Sequence, residues 1–329
     1  MPSEAPANAA TALSPAISVV LVTPDDWSTI QRTAACLHSQ TVRDQIELLI
    51  VAPAEHVIDR SVAELDGFWA VRVVPGGAIP SVAIGNTYGA LAATADIVAF
   101  IEEHAFPDPD WAQALIQAHR MPCAAVAPAA RNAVPDSVVG WADHLVSYGP
   151  WMDPSPSGPR DGLCWHNVSY KRSVLLACGD DLEAMLAAET NLHWQLRARG
   201  ETLWLAGDAR IAHLGFTHLR GALGEALYNG RSLATARSTR WSPLRRLVYA
   251  VGSPLIPAVR LVRLLRQLRA NPAQRRGVPA AAWPAVILIL YAGSVGEFLG
   301  YAFGPGSSAT AAARYEFHRQ RQNRPEHRP

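Results

Sequence analysis

The chain has 329 residues, 49% hydrophobic and 17% charged, with a net charge of +1. That is room for one large domain with an appendage, and it is more apolar than usual for a soluble domain. The near-neutral balance excludes a global electrostatic pull toward nucleic acid, and four cysteines without CxxC spacing exclude a zinc knuckle or a disulfide framework.

The first fifteen residues are small and polar, with neither a basic start nor an apolar core, and are expected to be a disordered leader rather than a signal peptide. Ile17 to Thr23 is a continuous β-branched run, the pattern of a strand buried on both faces. Asp26 is a suitable N-cap for a helix from Trp27. Ile46 to Ala52 and Trp69 to Val74 predict two further strands, with a helix over Ala54 to Leu65 between them. A small-residue helix, Ser81 to Ala95, carries Gly85-Asn86. Strands alternating with helices predict a doubly wound α/β sheet. No GxGxxG follows the first strand and no GxxxxGK[ST] occurs, so neither a dinucleotide fingerprint nor a P-loop is present.

Asp96 to Ile101 is the next buried strand, and it ends in Glu102, Glu103 and His104. Acids at the carboxyl end of such a strand, before a turn into the helix at Trp111, mark a ligand rim of an open sheet. Carboxylates there suit a divalent cation, Mn²⁺ or Mg²⁺, that would neutralise a diphosphate. A strand over Cys123 to Ala129 and a helix over Asp136 to Tyr148 lead to a breaker-rich loop. The loop ends in Trp165, His166, Asn167, Ser169, Tyr170 and Lys171, hydrogen-bonding groups and aromatic platforms that suit a sugar. A helix opens at Gly179-Asp180-Asp181. Another, with Glu189 in its first turn, ends at Gly200. Glu201 to Ala206 and Ala209 to Gly215 are the closing strands, the second carrying His213.

In this order SVVLVT, the Asn-containing helix, VAFIEEHAFPDPDW, HNVSYKR, an acid before LxxxLRARG, and IAH together resemble the family 2 glycosyltransferases of the GT-A fold, from Ile17 to about Arg237. The resemblance implies a GT-A-like mixed sheet and an inverting transfer of a sugar from a nucleotide-diphosphate donor. It implies Thr23, Asp25, Asn86, Glu102 and Glu103 on the donor side, and Glu102, His104 and His213 around a metal. Glu189 falls at the general base, and Trp165, His166 and Asn167 fall toward the acceptor. The chain departs from the family at three points. Ala52-Pro53 replaces the acid after the second strand, Glu-Glu-His replaces the Asp-rich metal motif, and Ala188 replaces the acid before the base. These departures keep open a second expectation, a catalytically degenerate scaffold that binds a sugar nucleotide or polysaccharide.

From Arg231 onward the chain is rich in arginine and poor in acids. In Leu244 to Leu268, arginines three apart share one helical face and leave an apolar face opposite, the pattern of a helix lying in a membrane interface. Val278 to Gly296 is nineteen uncharged residues, just long enough to span. The expected organisation is leader 1–15, glycosyltransferase domain 16–240, amphipathic or transmembrane helices 241–305, and basic tail 306–329. The expected setting is the cytoplasmic face of a membrane, with a lipid-linked or polysaccharide acceptor.

Overall fold

The computed structural model describes residues 14–59 and 61–323. The expected leader up to residue 13 and the tail from residue 324 lie outside the described residues. One sheet contains β1 (Ile17–Val22), β2 (Ile46–Ala52), β3 (Ala70–Pro75), β4 (Ile97–Ile101), β5 (Ala105–Pro107), β6 (Ala125–Asn132), β7 (Gly158–Arg160), β8 (Ser169–Lys171) and β9 (Leu203–His213). Its order is β3-β2-β1-β4-β8-β6-β9-β5, with β7 paired to β9. The first four are parallel neighbours, β8 runs antiparallel between β4 and β6, and β6 and β9 are parallel. This is a doubly wound mixed α/β sheet. Every residue of β1 and β2 is buried, as continuous aliphatic runs require when both faces are covered.

The sheet is wrapped by α1 (Trp27–His38), α2 (Val82–Ala92), α3 (Trp111–Ala118), α4 (Val138–Tyr148), α5 (Arg172–Leu176), α6 (Leu182–Leu186) and α7 (Glu189–Ala198), while α8 (Leu219–Ser238) packs on the later helices. Asp26 caps α1, its side chain accepting the Ser28 amide at 2.9 Å. Gly200 ends α7 at a positive φ of 82°. The chain then forms α9 (Pro243–Gly252), α10 (Ile256–Ala270), α11 (Pro272–Arg275), α12 (Ala282–Phe303), α13 (Ser308–Glu316) and α14 (Arg319–Gln322).

Three expectations change. The predicted helix Ala54 to Leu65 is two 3₁₀ turns, Glu55–Val57 and Ala63–Leu65. Asp59 accepts both the amide and the hydroxyl of Ser61, a local turn that competes with helical bonding. The helix expected to open at Gly179 is a 3₁₀ turn, Gly179–Asp181, followed by the five-residue α6. The two closing strands are one strand, β9, whose register against β6 shifts between Pro128 and Ala129. That irregularity lets the strand run on through Gly207-Asp208 to His213.

Pro243–Ala270 and Ala282–Phe303 are long and apolar enough to cross a membrane, judged by length and composition. α12 packs along α8 by close approach of small residues. A Cβ on Gly296 would lie 2.0 Å from the Leu227 carbonyl oxygen, and one on Gly230 would lie 2.2 Å from that of Gly293. A second core, including Leu145, Phe216, Leu264, Val286 and Ile289, joins α4, α10 and α12.

Candidate functional site

The site begins where the sheet changes direction, between parallel β4 and antiparallel β8. Glu102 leaves β4 at this point. Three residues on, β5 pairs antiparallel with β9 and sets Ala105 opposite His213. That pairing brings the rings of His104 and His213 to a 4.8 Å centroid separation. His213 Nε2 lies 3.3 Å and His104 Nε2 3.7 Å from Glu102 Oε2. One ligand atom from each of Glu102, His104 and His213 falls within 4.8 Å of the others, a group that can hold a metal ion. Glu102 is held in place by Asn167, which accepts its amide at 3.0 Å and donates to its carboxylate at 2.5 Å. Asn167 also donates to the Tyr148 hydroxyl at 2.8 Å.

Burial would raise the Glu102 carboxyl, but the His104 ring and the hydrogen bond from His213 hold it well below the usual carboxylate range. Burial pushes His213 down to about 4. The pair is therefore an ionised carboxylate beside a neutral imidazole, the protonation states that ligate metals. His104 is fully buried, its Nδ1 lies 3.5 Å from Glu103 Oε1, and neither ring nitrogen has a hydrogen-bond partner among the described residues. An unmet nitrogen costs free energy unless something coordinates it, so the residues fit a cation. Two imidazoles and one carboxylate suit Mn²⁺ better than Mg²⁺.

A cavity of about 760 Å³ opens beside this cluster. Glu102, His104, His213, Trp165 and His166 line it; Thr23, Asp25, Asn86, Glu103, Asn167 and Glu189 do not. Glu189 lies behind the Trp165–Asn167 turn. Its Oε2 accepts the His166 amide at 2.6 Å, and Tyr170 donates to Oε1 at 3.5 Å. His166 adopts φ 60°, uncommon for a side-chain-bearing residue, and the Glu189 carboxylate steadies that turn. Burial raises the Glu189 carboxyl to about 7. The Trp165 indole donates to Thr190 Oγ1 at 2.8 Å, which fixes its ring at the cavity wall.

Thr23 and Asp25 follow β1, the parallel neighbour of β4, and their side chains are turned to local partners. Thr23 donates to the Asp26 carbonyl at 2.8 Å, and Asp25 accepts from Thr29 at 2.6 Å. Asn86 is buried on α2, and its Nδ2 has no partner among the described residues. The carboxyl-terminal segment reaches all of these places. Glu316 accepts the Val82 amide at the start of α2, at 2.8 Å. His318 and Arg321 face Asp25 at 3.7 and 3.5 Å. The Arg319 amide donates to Glu103 at 3.0 Å, which turns Glu103 toward this segment. The Arg319 guanidinium is buried, bonded to Glu225 at 2.6 Å, 4.0 Å from Asp143, and stacked 3.8 Å from the Phe216 ring centroid. Burial and the Glu225 charge raise Asp143 to about 7.

Sequence reading missed Tyr148, Asp143, Glu225, Glu316 and Arg319. The first four lie on ordinary helical patterns with no motif. Arg319 sits in a basic run that resembles a solvated tail, and only its pairing with distant acids distinguishes it.

No known family profile matches the chain, and no curated protein matches it. Among solved structures, the mannosyltransferase PcManGT from Pyrobaculum calidifontis, in complex with GDP-Man and Mn²⁺, is 17% identical with a TM-score of 0.47, over 95% of this chain and 88% of that one. A mycobacterial protein is 16% identical with a TM-score of 0.43, over 70% and 76%. GalNAc-T7 with UDP, GalNAc and Mn²⁺ is 14% identical with a TM-score of 0.42, and the chain spans 43% of its length and matches over 60% of its own. Each likeness is one of fold outline.

Proposed function

We propose that the chain is a glycosyltransferase of the family 2 type, moving a sugar from a nucleotide-diphosphate donor with inversion to a lipid-linked or polysaccharide acceptor at the cytoplasmic face of a membrane. The observation that carries this reading is the Glu102–His104–His213 group at the end of β4, opening into a cavity walled by Trp165 and His166. Bound by these three residues, a divalent cation supplies positive charge against the leaving diphosphate. Asn167 keeps Glu102 aimed at that position. Glu189 takes the proton of the acceptor hydroxyl once the Trp165–Asn167 turn opens a path to it, and a carboxyl raised to about 7 is suited to that exchange. A single base suits one displacement rather than a covalent glycosyl intermediate. Residues 16–240 carry the transfer site and 241–305 the membrane contact, where exposed Leu247, Val251 and Leu255 meet lipid.

The test is transfer or donor hydrolysis by the full chain over a panel of UDP- and GDP-sugars, in Mn²⁺ and in EDTA. Turnover with at least one donor, lost in EDTA, is expected; inertness toward the whole panel overturns the reading. One observation favours a binding scaffold instead: both Glu189 oxygens are engaged and neither faces the cavity. Donor binding without turnover would establish that alternative.

A further inference from the structure

The cavity beside Glu102 does not end at the sheet. It continues between α8, α10 and α12, where Leu233, Leu264, Ile289 and Leu290 form an apolar wall, and reaches Arg237, Arg260 and Arg263. A second cavity, of about 530 Å³, is lined by the same three arginines. It opens among Val248, Leu255 and Val259, whose side chains are 61%, 68% and 47% exposed. The two cavities thus share three arginines, a node with the metal-binding group on one side and the bare apolar face of α9 and α10 on the other.

The node carries excess positive charge. Arg260 is paired with Glu297 at 2.6 Å, and no other acid among the described residues lines the second cavity. Arg237 lies 5.0 to 5.3 Å from the ring centroids of Trp194, Trp241 and Tyr249, and donates to the Tyr301 hydroxyl at 3.4 Å. Arg263 has no ion-pair, hydrogen-bond or ring partner among the described residues. An apolar passage interrupted by a cationic ring matches an amphiphile with an anionic joint. Arginine forks match phosphate oxygens in geometry as well as charge.

We propose that this passage binds a lipid carrying a phosphate or diphosphate ester. The phosphate sits at Arg237, Arg260 and Arg263. The hydrocarbon leaves past Val248, Leu255 and Val259 into the bilayer, and the head group beyond the phosphate extends toward Glu102. As a statement about the acceptor this rests on the transferase reading; as a statement about binding it does not. Both cavities fall in the size range that holds small-molecule ligands, about 300–1,000 Å³.

The experiment uses the full chain in phosphatidylcholine nanodiscs, without donor, and a farnesyl monophosphate bearing a diazirine at the end of its chain. Photolysis is expected to label residues 248–259, with competition by unlabelled farnesyl monophosphate and at least about tenfold weaker competition by farnesol or inorganic phosphate. Arg263→Gln removes an exposed, unpaired charge, so it leaves the fold intact and should weaken labelling about tenfold; Arg266→Gln, on the same helix outside the passage, should not. Labelling that farnesol competes equally, that inorganic phosphate competes equally, or that Arg263→Gln leaves unchanged overturns the proposal. Specific labelling by a chain that transfers no sugar would sink the transferase reading and leave this one standing.

Discussion

In the proposed transfer, Glu189 and the Glu102 group divide the chemistry of the site between them. Glu189 is buried, tied to the His166 amide, and raised to about 7, so it is protonated in acid and ionised in base. A base must be ionised to act, so transfer should rise with pH through about 7 and level off above it. Glu189→Gln keeps the shape of the carboxyl and removes its basicity. It should lower the transfer rate by about 10²–10⁴ while leaving donor affinity nearly unchanged; an unaltered rate would confine Glu189 to steadying the Trp165–Asn167 turn. His213→Ala should weaken Mn²⁺ binding by at least about tenfold in calorimetry of the full chain. Indifference of Mn²⁺ binding to that change would detach His213 from the metal group. This residue-scale geometry was only partly legible. Glu102, His104 and His213 were each marked by their place at a strand end, but their convergence depends on β5, a three-residue strand too short to show a pattern.

At the scale of elements, local signals worked where one face or one run decided the outcome. β1, β2 and β4 are runs of mostly aliphatic residues, and α1 has its cap in Asp26. They failed at Ala54 to Leu65, where the Asp59–Ser61 turn outweighed helix propensity, and at β9, where one strand crosses a glycine that reads as a break. The small-residue character of α2 has a packing cause. A Cβ on Gly89 would lie 2.3 Å from Val20 Cγ1, so the helix sits directly on β1. Gly89→Ala gains about 1 kcal/mol of helix propensity but overpacks this contact by about 1–3 kcal/mol. A net loss of stability is expected in urea unfolding; a gain would mean that α2 can lift from β1 without cost.

Over the whole molecule, the helices after residue 240 are joined to the sheet and also present lipid-like surface. α12 is half buried against its neighbours, while Leu247 and Val251 on α9 are 59% and 71% exposed. The full chain should therefore float with vesicles containing anionic lipid, and added salt should weaken but not abolish flotation, since apolar contact is unscreened. Leu247→Glu with Val251→Glu should leave the chain in the unbound fraction; continued flotation of that variant would place the contact elsewhere.

The return of the carboxyl-terminal segment to β4 also sets an order of events during synthesis. Glu103 and the Arg319 amide that meets it are separated by 216 positions. While the ribosome is still short of residue 319, Asp143 and Glu225 lie side by side without their cation, and Asp25 lacks His318 and Arg321. The apolar helices α9, α10 and α12 all precede this segment in the chain. A chain ending at residue 305 should therefore show protease-sensitive β4 and α8 termini that the full protein protects. Equal protection in both would mean that the sheet and its acids are settled without the final segment.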